Sequence, residues 1–424
     1  MALKPSRYFL LYPDPNGQSH VAMNTFTGGT YSFSSARIAD LQHILSDPNG
    51  TEDAELRDFC ISQGILIEED VDELEQIKKR HITGRYSKET LYVTYSLTNA
   101  CNFRCTYCYQ EHGKASLSEE SIDKTVSFIE QNLPEYGSLK VHWFGGEPLL
   151  MMKRIESTSK RLLSLCNKLN KPYYAGITTN GALFNDDAAT MLASLGVEQI
   201  QFTLDGRKED HNQLRIRKDG RGTYDLVLDA LRRSVDRGFT TFVRVNVSPM
   251  NAAGLAELLT DFRDRGLGPH NIHLYLNEMK DHGGSSSSTS LYFKSLKEFG
   301  NVLIECLKVM KRFGYPTPHI QPIDVNCAFD KPSSVLFGTD GNLYHCTTGT
   351  DKALATLSED GTIASETERR RFVHERQPWD DPHCRDCRFL PICMGGCAYL
   401  DEVGKVKCNP EGVVLGELVR LTLD

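Results

Sequence analysis

The sequence lacks long apolar runs and an excess of basic residues, and each absence excludes a class of function. Across 424 residues the formal net charge is −8, so no basic field favours nucleic acid or an anionic membrane as a partner. No apolar run approaches the roughly 20 residues of a membrane span. The N-terminus, MALKPSRYFLLYPDPNGQ, lacks the longer apolar core and the cleavage site of a signal peptide. We therefore expect a cytoplasmic protein without nucleic-acid or membrane partners.

Cysteine, in contrast, is abundant and unevenly spread. Of 13 cysteines, three lie within residues 101–108 and seven lie between Cys327 and Cys408. In a reducing compartment, clustered thiols indicate metal or redox chemistry rather than disulfides.

The pattern along the chain predicts three parts. Residues 1–85 combine short strands with two helical patterns, the second over 52–81, and predict a winged-helix-like module of the peptide-recognition type or a packing extension of the next domain. Residues 90–315 alternate six strands with helices, which favours a parallel α/β sheet, either doubly wound or closed into a barrel. Residues 320–424 are cysteine-rich and depend on metal for stability. The low-complexity stretch 281–290 is either a linker or a lid.

The distinctive short motifs of the middle part all follow predicted strands. They are Cys101, the Gly145-Gly146-Glu147-Pro148 turn, the Thr178-Thr179-Asn180-Gly181 turn, Asp205-Gly206 and Asn246. Because parallel α/β sheets place their chemistry at the carboxyl ends of the strands, this coincidence predicts an active site at that edge.

The stretch CNFRCTYCYQ at residues 101–110 provides three thiols but no fourth. A [4Fe–4S] cluster usually has four thiolate ligands, so three thiolates leave one iron open to a substrate or cofactor. A catalytic zinc site keeps an open coordination position in the same way. A zinc knuckle completed by His112 is the alternative.

These cysteines, with Tyr107 as the aromatic residue before the third, match the CX3CXΦC motif, and residues 90–280 resemble the radical S-adenosylmethionine (radical SAM) superfamily. The resemblance implies a partial (β/α)6 TIM barrel. It also implies that Cys101, Cys105 and Cys108 hold a [4Fe–4S] cluster whose open iron binds S-adenosylmethionine. One electron would then cleave a C–S bond, and the 5′-deoxyadenosyl radical would abstract a hydrogen atom from the substrate.

The same resemblance implies contacts to the cofactor. Gly145, Gly146 and Glu147 match the segment that binds the amino group of the methionine moiety, where glycines allow close backbone approach. Thr203, Arg215 and Arg244 are the further predicted contacts. Arg217 is an alternative to Arg215 for the same cofactor contact. For each arginine, the other interpretation is a surface ion pair.

The C-terminal cysteines read CX13GX4C, with Gly341 as the glycine, followed by CX2CX5CX3C and a last cysteine, which resembles the seven-cysteine SPASM domain. The resemblance implies two auxiliary [4Fe–4S] clusters. One would be held by Cys384, Cys387, Cys393 and Cys408, and the other by Cys327, Cys346 and Cys397. The fourth ligand of the second is left open between an open iron and a residue such as Asp324, since position 321 is Gln and Cys306 reads as core. A double zinc ribbon is the alternative.

The resulting hypothesis is a radical SAM/SPASM oxidoreductase that matures a ribosomally synthesised precursor peptide by an intramolecular thioether or C–C cross-link. A flavodoxin or ferredoxin would supply electrons. A sulfatase-maturating, formylglycine-forming enzyme is the first alternative, although Thr347 stands where that branch has an aspartate and the nearest acid is Asp351. A peptide epimerase is the second alternative, and a peptide-binding scaffold with structural metal is the non-enzymatic one.

Overall fold

The computed structural model describes residues 2–14, 17, 19–50, 53–281, 289–344, 346–349, 353–365, 370–402, 404–405 and 407–423. The chain forms two compact units. The terminal unit comprises Met1–Tyr86, Thr317–Asp330 and Arg376–Asp424, and the barrel unit comprises Ser87–Pro316 and Lys331–Glu375. The three-part division by function stays a prediction, whereas the packing of the chain follows these two units. Most of the stretch 281–290 lies outside the described residues.

The N-terminal part of the terminal unit is a small α/β module. Its strands are β1 (Leu3–Pro5), β2 (Phe9–Pro13), β3 (Ser19–Asn24), β4 (Thr30–Ser34) and β5 (Leu66–Glu68), and its helices are α1 (Ser35–Ser46), α2 (Ala54–Ser62) and α3 (Glu73–Arg85). Strands β2, β3 and β4 form an antiparallel sheet, and β1 pairs with β5. Leu41, Ile44 and Cys60 are fully buried in the core between sheet and helices.

The expected single helix over 52–81 is wrong. The first helix ends at Ser62, and Gly64 adopts a left-handed φ of 67°, which is accessible to glycine at little cost. The chain then extends as β5 against β1. A new helix begins where the Asp72 side chain accepts a hydrogen bond from the amide of Glu75 at 3.1 Å.

The barrel unit confirms the expected partial barrel of six βα repeats. Its parallel strands are β6 (Thr90–Ser96), β7 (Ser138–Phe144), β8 (Tyr173–Thr178), β9 (Val197–Thr203), β10 (Thr240–Val247) and β11 (His273–Glu278). The helices are α4 (Glu119–Asn132), α5 (Met152–Leu169), α6 (Asp186–Ser194), α7 (Lys208–Leu214), α8 (Tyr224–Asp236), α9 (Leu255–Asp264) and α10 (Leu296–Arg312). The strands are neighbours in sequence order, as right-handed crossovers through helices require.

The sheet also takes strands from the cysteine-rich part of the sequence. These are β12 (Ser334–Phe337), which pairs in parallel with β6, and β13 (Leu343–Tyr344), which pairs antiparallel with β12. A separate ladder follows, formed by β14 (Thr356–Leu357) and β15 (Ile363–Ser365). Gly341 turns between β12 and β13 at φ 80°, and a Cβ there would lie 2.8 Å from the Cβ of Ser121. The glycine of the CX13GX4C motif therefore serves a tight turn against α4.

The remaining helices of the terminal unit are short. They are α11 (Pro382–Asp386), α12 (Leu390–Cys393), α13 (Ala398–Glu402) and α14 (Leu415–Leu423). Single turns complete the described elements at Leu133–Glu135, Pro148–Met151, Ala252–Gly254, Thr289–Leu291, Ala328–Asp330, Arg370–Glu375, Pro378–Asp380 and Pro410–Val414. Among the described residues, none of the helices has the length and apolarity needed to cross a membrane.

Candidate active site

A cavity of about 210 Å³ opens at the carboxyl ends of the barrel strands. Nine of the residues predicted from sequence line it: Cys101, Cys105, Cys108, Tyr107, Gly145, Gly146, Thr203, Arg215 and Arg244. Strand ends that lie far apart in sequence thus meet at one place, as the repeated βα pattern predicts.

The cysteine loop follows β6 and is held by backbone hydrogen bonds on two sides. On one side, the amides of Arg104 and Thr106 donate to the carbonyls of Ile216 and Leu214 at 2.7 and 2.9 Å. On the other side, the glycine turn after β7 contacts the residues just before Cys101. These hydrogen bonds fix the backbone of the loop on both sides.

Gly145 and Gly146 are required by this second contact. The amide of Gly146 donates to the carbonyl of Thr98 at 2.7 Å. A Cβ on Gly146 would lie 2.3 Å from the carbonyl oxygen of Ala100, and one on Gly145 would lie 2.7 Å from that of Thr98. The two glycines thus do allow a close backbone approach, and in this structure the backbone they approach is that of the cysteine loop.

Glu147 lies behind the cavity rather than in its lining and is fully buried. Its carboxylate accepts hydrogen bonds from the amides of Leu149 and Asn180 at 3.0 and 2.7 Å and from the Thr179 hydroxyl at 2.7 Å. Burial raises the pKa of this carboxyl, and these donors oppose the rise. In this structure Glu147 joins the turns after β7 and β8, and its predicted pairing with a cofactor ammonium stays a prediction.

Tyr107 anchors a buried polar network on the opposite wall. Its hydroxyl donates to the Asp205 carboxylate and accepts from Arg215 at 2.7 Å and from Asn246 at 3.2 Å. Burial raises the pKa of Tyr107 well above its usual value, so the phenol stays protonated. Arg215 is 8% exposed, and its Nε has no hydrogen-bond partner. Arg215 also lines the cavity, and a guanidinium in a cavity wall suits an anionic group such as a carboxylate.

The other predicted cofactor contacts occupy two adjacent strands. Arg244 pairs in register with Thr203 on β9, and its Nε donates to Asn246 at 2.8 Å. Arg217, the competitor of Arg215, does not line the cavity; its side chain is 38% exposed and lies 3.9 Å from Asp219. The surface ion-pair alternative thus describes Arg217.

The three thiols fit a cluster with one open iron. They line one cavity, and burial raises the pKa of Cys101 and Cys105 to about 11 and also raises that of Cys108, so metal would have to displace their protons. Among the described side chains, no group of three or more His, Cys, Asp or Glu is arranged around a single ion. Each thiolate of a cluster binds a separate iron, so the three thiols of a cluster do not have to surround a single ion.

Several lining residues were given no chemical role from the sequence. Asn180 donates from Nδ2 to the Cys101 sulfur at 3.7 Å. Glu278, paired with Lys280 at 3.3 Å, is the one carboxylate among the described lining residues. Asn180 lies in a motif recognised as a strand end, whereas Glu278 simply ends β11 in the sequence and gives no signal of its own.

The Cys346 loop borders the same cavity. Thr347 and Thr348 line it, and the Cys346 sulfur lies 3.0 Å from the Thr348 hydroxyl. Tyr109 is close to this loop; burial raises its pKa to about 12, and a hydrogen bond with Thr347 opposes the rise. Asp351, the nearest acid to Thr347 in the sequence, lies outside the described residues.

In the terminal unit, four cysteines of the predicted first auxiliary set lie near one another. Burial raises the pKa of Cys384 to about 11, and the thiols of Cys393 and Cys408 add to this. The thiols of Cys408 and Cys387 in turn help to raise the pKa of Cys393. Ligation of one cluster by these four thiols stays a prediction.

The second predicted auxiliary set is divided between the units, because Cys346 belongs to the barrel unit while Cys327 and Cys397 belong to the terminal unit. Its ligation stays a prediction. Asp324, a candidate fourth ligand, is half exposed and pairs with Arg80 at 3.3 Å. Cys306 is buried in α10, as expected of a core residue.

Comparison with known proteins agrees with this geometry. The profile of the Radical SAM superfamily matches residues 95–262, which include the cysteine loop and the ends of strands β6 to β10. The chain contains a radical SAM domain. A domain of this family implies a [4Fe–4S] cluster and S-adenosylmethionine.

Among curated relatives, the sporulation killing factor maturation protein SkfB of Bacillus subtilis is 26% identical over 187 residues, which cover 44% of this chain and 43% of SkfB. The GTP 3′,8-cyclase of Petrotoga mobilis is 24% identical over 68% of this chain and 90% of its own. The match to SkfB thus spans less than half of that protein.

Two solved structures share the fold. The structure of native anSMEcpe with bound AdoMet and Cp18Cys peptide has a TM-score of 0.61 at 17% identity, covering 79% of this chain and 97% of its own. The structure of Streptococcus suis SuiB bound to the precursor peptide SuiA has a TM-score of 0.54 at 12% identity, covering 97% and 98%. At these identities the likeness concerns the fold alone.

Proposed function

We propose that this protein is a radical SAM peptide maturase that abstracts a hydrogen atom from a precursor peptide and closes an intramolecular thioether or C–C cross-link. The observation that carries the proposal is one cavity lined by three thiols, by Arg215 and by the strand ends of the barrel. This arrangement provides metal ligands and an anion-binding donor in one place.

In this proposal, Cys101, Cys105 and Cys108 hold a [4Fe–4S] cluster. When bound, the cluster supplies the electron that cleaves S-adenosylmethionine to a 5′-deoxyadenosyl radical. Arg215 binds the carboxylate of the cofactor, with Thr203 and Arg244 as neighbouring contacts. Tyr107, held by Asp205 and Asn246, fixes the orientation of Arg215.

A peptide substrate is supported by two features. SkfB is named a maturation protein, and the N-terminal module presents a three-stranded antiparallel sheet in which β4 is an edge strand. An extended leader peptide could pair with such an edge by strand addition. We propose further that the auxiliary cysteines hold two [4Fe–4S] clusters that accept the product electron, and that a flavodoxin or ferredoxin supplies reductant in the cytoplasm.

The alternatives to this proposal differ in the reaction or in the substrate. Thr347 stands where sulfatase-maturating enzymes have an aspartate, which disfavours formylglycine formation, and Glu278 is the carboxylate available in the described cavity lining. A peptide epimerase would form no bond. A GTP cyclase is a further candidate, because this chain covers 90% of the Petrotoga mobilis enzyme.

Release of 5′-deoxyadenosine tests the proposal. Anaerobically reconstituted protein with dithionite and S-adenosylmethionine should release it, and the triple variant Cys101→Ala, Cys105→Ala, Cys108→Ala should not, while it keeps iron in the auxiliary sites. Release by the triple variant would contradict the assignment.

The substrate class is tested by adding the peptide encoded by a neighbouring short gene, or GTP, to the wild-type protein. A loss of two mass units from the peptide supports a cross-link, and an unchanged mass with inverted stereochemistry supports epimerisation. Consumption of GTP alone would replace the peptide proposal.

A further inference from the structure

The side chain of Asn180 distinguishes Cys101 from the other two cysteines of the loop. Its Nδ2 donates to the Cys101 sulfur at 3.7 Å and to the Asn102 side-chain carbonyl at 2.7 Å. The amide of Phe103 donates to the same sulfur at 3.4 Å. In the part of the chain that the structure describes, no side-chain donor reaches the sulfur of Cys105 or Cys108.

Asn180 is itself held rigidly. It is 6% exposed, its backbone amide donates to Glu147 at 2.7 Å, and its Oδ1 accepts from the amide of Ala182 at 3.0 Å. Glu147 in turn accepts from Thr179 and follows the glycine turn that packs on the cysteine loop. The Nδ2 group is therefore presented to Cys101 by the turn after β8, with its orientation fixed by three further hydrogen bonds.

We propose that Asn180 is a positioning residue that hydrogen-bonds the Cys101 thiolate and sets the reduction potential of the first cluster. Hydrogen bonds to cluster sulfurs withdraw electron density and favour the reduced state. The inference rests on the proposed function, because it requires a cluster on Cys101, Cys105 and Cys108.

Two variants distinguish the effect of the hydrogen bond on the reduction potential from the effect of charge. Asn180→Leu removes the donor without adding charge, and Asn180→Asp keeps the Oδ1 acceptor for Ala182 while it replaces the donor by a carboxylate. Asn277→Asp is the matched control, because Asn277 lines the same cavity and its Nδ2 donates to the Glu278 carbonyl rather than to a sulfur.

The measurement is an anaerobic potentiometric titration followed by electron paramagnetic resonance, with the Cys101/Cys105/Cys108 triple Ala variant subtracted to isolate the first cluster. We expect Asn180→Leu to lower the reduction potential of the first cluster. Asn180→Asp should lower it further, by about 59 mV, which changes the one-electron equilibrium tenfold. The spectral change on addition of S-adenosylmethionine should also become smaller.

The outcomes are distinguishable. Wild-type potential in Asn180→Leu, with full iron content and an unchanged melting temperature, would overturn the inference and leave the proposed function standing. Equal shifts in Asn180→Asp and Asn277→Asp, without a shift in Asn180→Leu, would assign the effect to charge and also overturn it. If the wild-type and triple Ala proteins give the same signal, the proposed function itself fails.

Discussion

Arg215 and Arg217 differ by two positions in the sequence, and the structure gives them different surroundings. Arg215 is buried beside Tyr107 with an unpaired Nε, whereas Arg217 lies near Asp219 at the surface. We expect Arg215→Lys, which keeps the charge but loses the planar donor, to weaken S-adenosylmethionine binding about tenfold, roughly 1.4 kcal/mol. Arg217→Lys should change the affinity by less than about twofold. Calorimetric titration of the reconstituted proteins measures both, and equal effects would contradict the assignment of Arg215.

Gly146 gives a second prediction at the scale of one residue. A methyl group there would meet the Ala100 carbonyl at 2.3 Å, and two backbones would have to separate. We expect Gly146→Ala to destabilise the barrel unit by about 1–3 kcal/mol and to reduce iron at the first site. Gly113→Ala, in the cysteine loop that Gly146 contacts, is the control, since its Cβ would meet only ordinary contacts at 3.8 Å or more. Denaturant unfolding and iron analysis compare the two; a stable, fully loaded Gly146→Ala protein would contradict the packing argument.

At the scale of elements, the N-terminal module and the cysteine-rich helices of the terminal unit share one core. Tyr8 packs with Cys384, Leu390 and Met394, and the Arg388 guanidinium donates to the carbonyl of Phe9 at 2.6 Å. The module thus packs on the cysteine-rich segment near the end of the chain. Its interpretation as a packing extension of the following domain, or as a peptide-recognition module, stays a prediction.

The contact through Arg388 can be tested by removing it. Arg388→Ala deprives the carbonyls of Arg7 and Phe9 of their donor, and we expect a loss of roughly 1–2 kcal/mol in unfolding free energy with less iron in the auxiliary sites. Arg385→Ala is the matched control, because that side chain is half exposed and only approaches Asp386 at 3.9 Å. If both variants melt like the wild type, the module and the cysteine segment do not stabilise each other through this contact.

The elements also show what the sequence can and cannot predict. The six βα repeats and the strand ends were predictable, because local periodicity determines both. The break at Gly64 was missed because β5 is stabilised by β1, more than 60 positions earlier. Strand β12 was missed for the same reason, since its partner β6 lies far away in the sequence. The role of Asn180 needs the tertiary fold, because only the fold brings the turn after β8 to Cys101.

At the scale of the whole molecule, both units contain buried histidines whose ordinary protonation is suppressed. Burial lowers the pKa of His81 in the terminal unit and of His142 in the barrel unit to about 4, and it lowers that of His211 well below its usual value. His81 is 2% exposed, its ring Nδ1 donates to the Asp324 carbonyl at 2.7 Å, and the ring packs edge-on to Trp379. The Arg85 guanidinium lowers the pKa of His81 further, and the Asp330 carboxylate and the hydrogen bond to Asp324 oppose only part of this lowering.

The sign of the pH dependence follows from linkage. Between about pH 6.5 and 4 the unfolded chain binds protons that the folded chain refuses, so stability is complete above pH 6.5 and falls as the pH decreases towards 4. For His81 the loss is at most about 3 kcal/mol. We expect the denaturant midpoint to fall steeply between pH 7 and 5, and His81→Phe to reduce that slope, whereas His270→Asn at an exposed position should leave it unchanged. Urea unfolding across this range measures the slope, and an equal slope in all three proteins would show that the buried ring of His81 does not govern acid sensitivity.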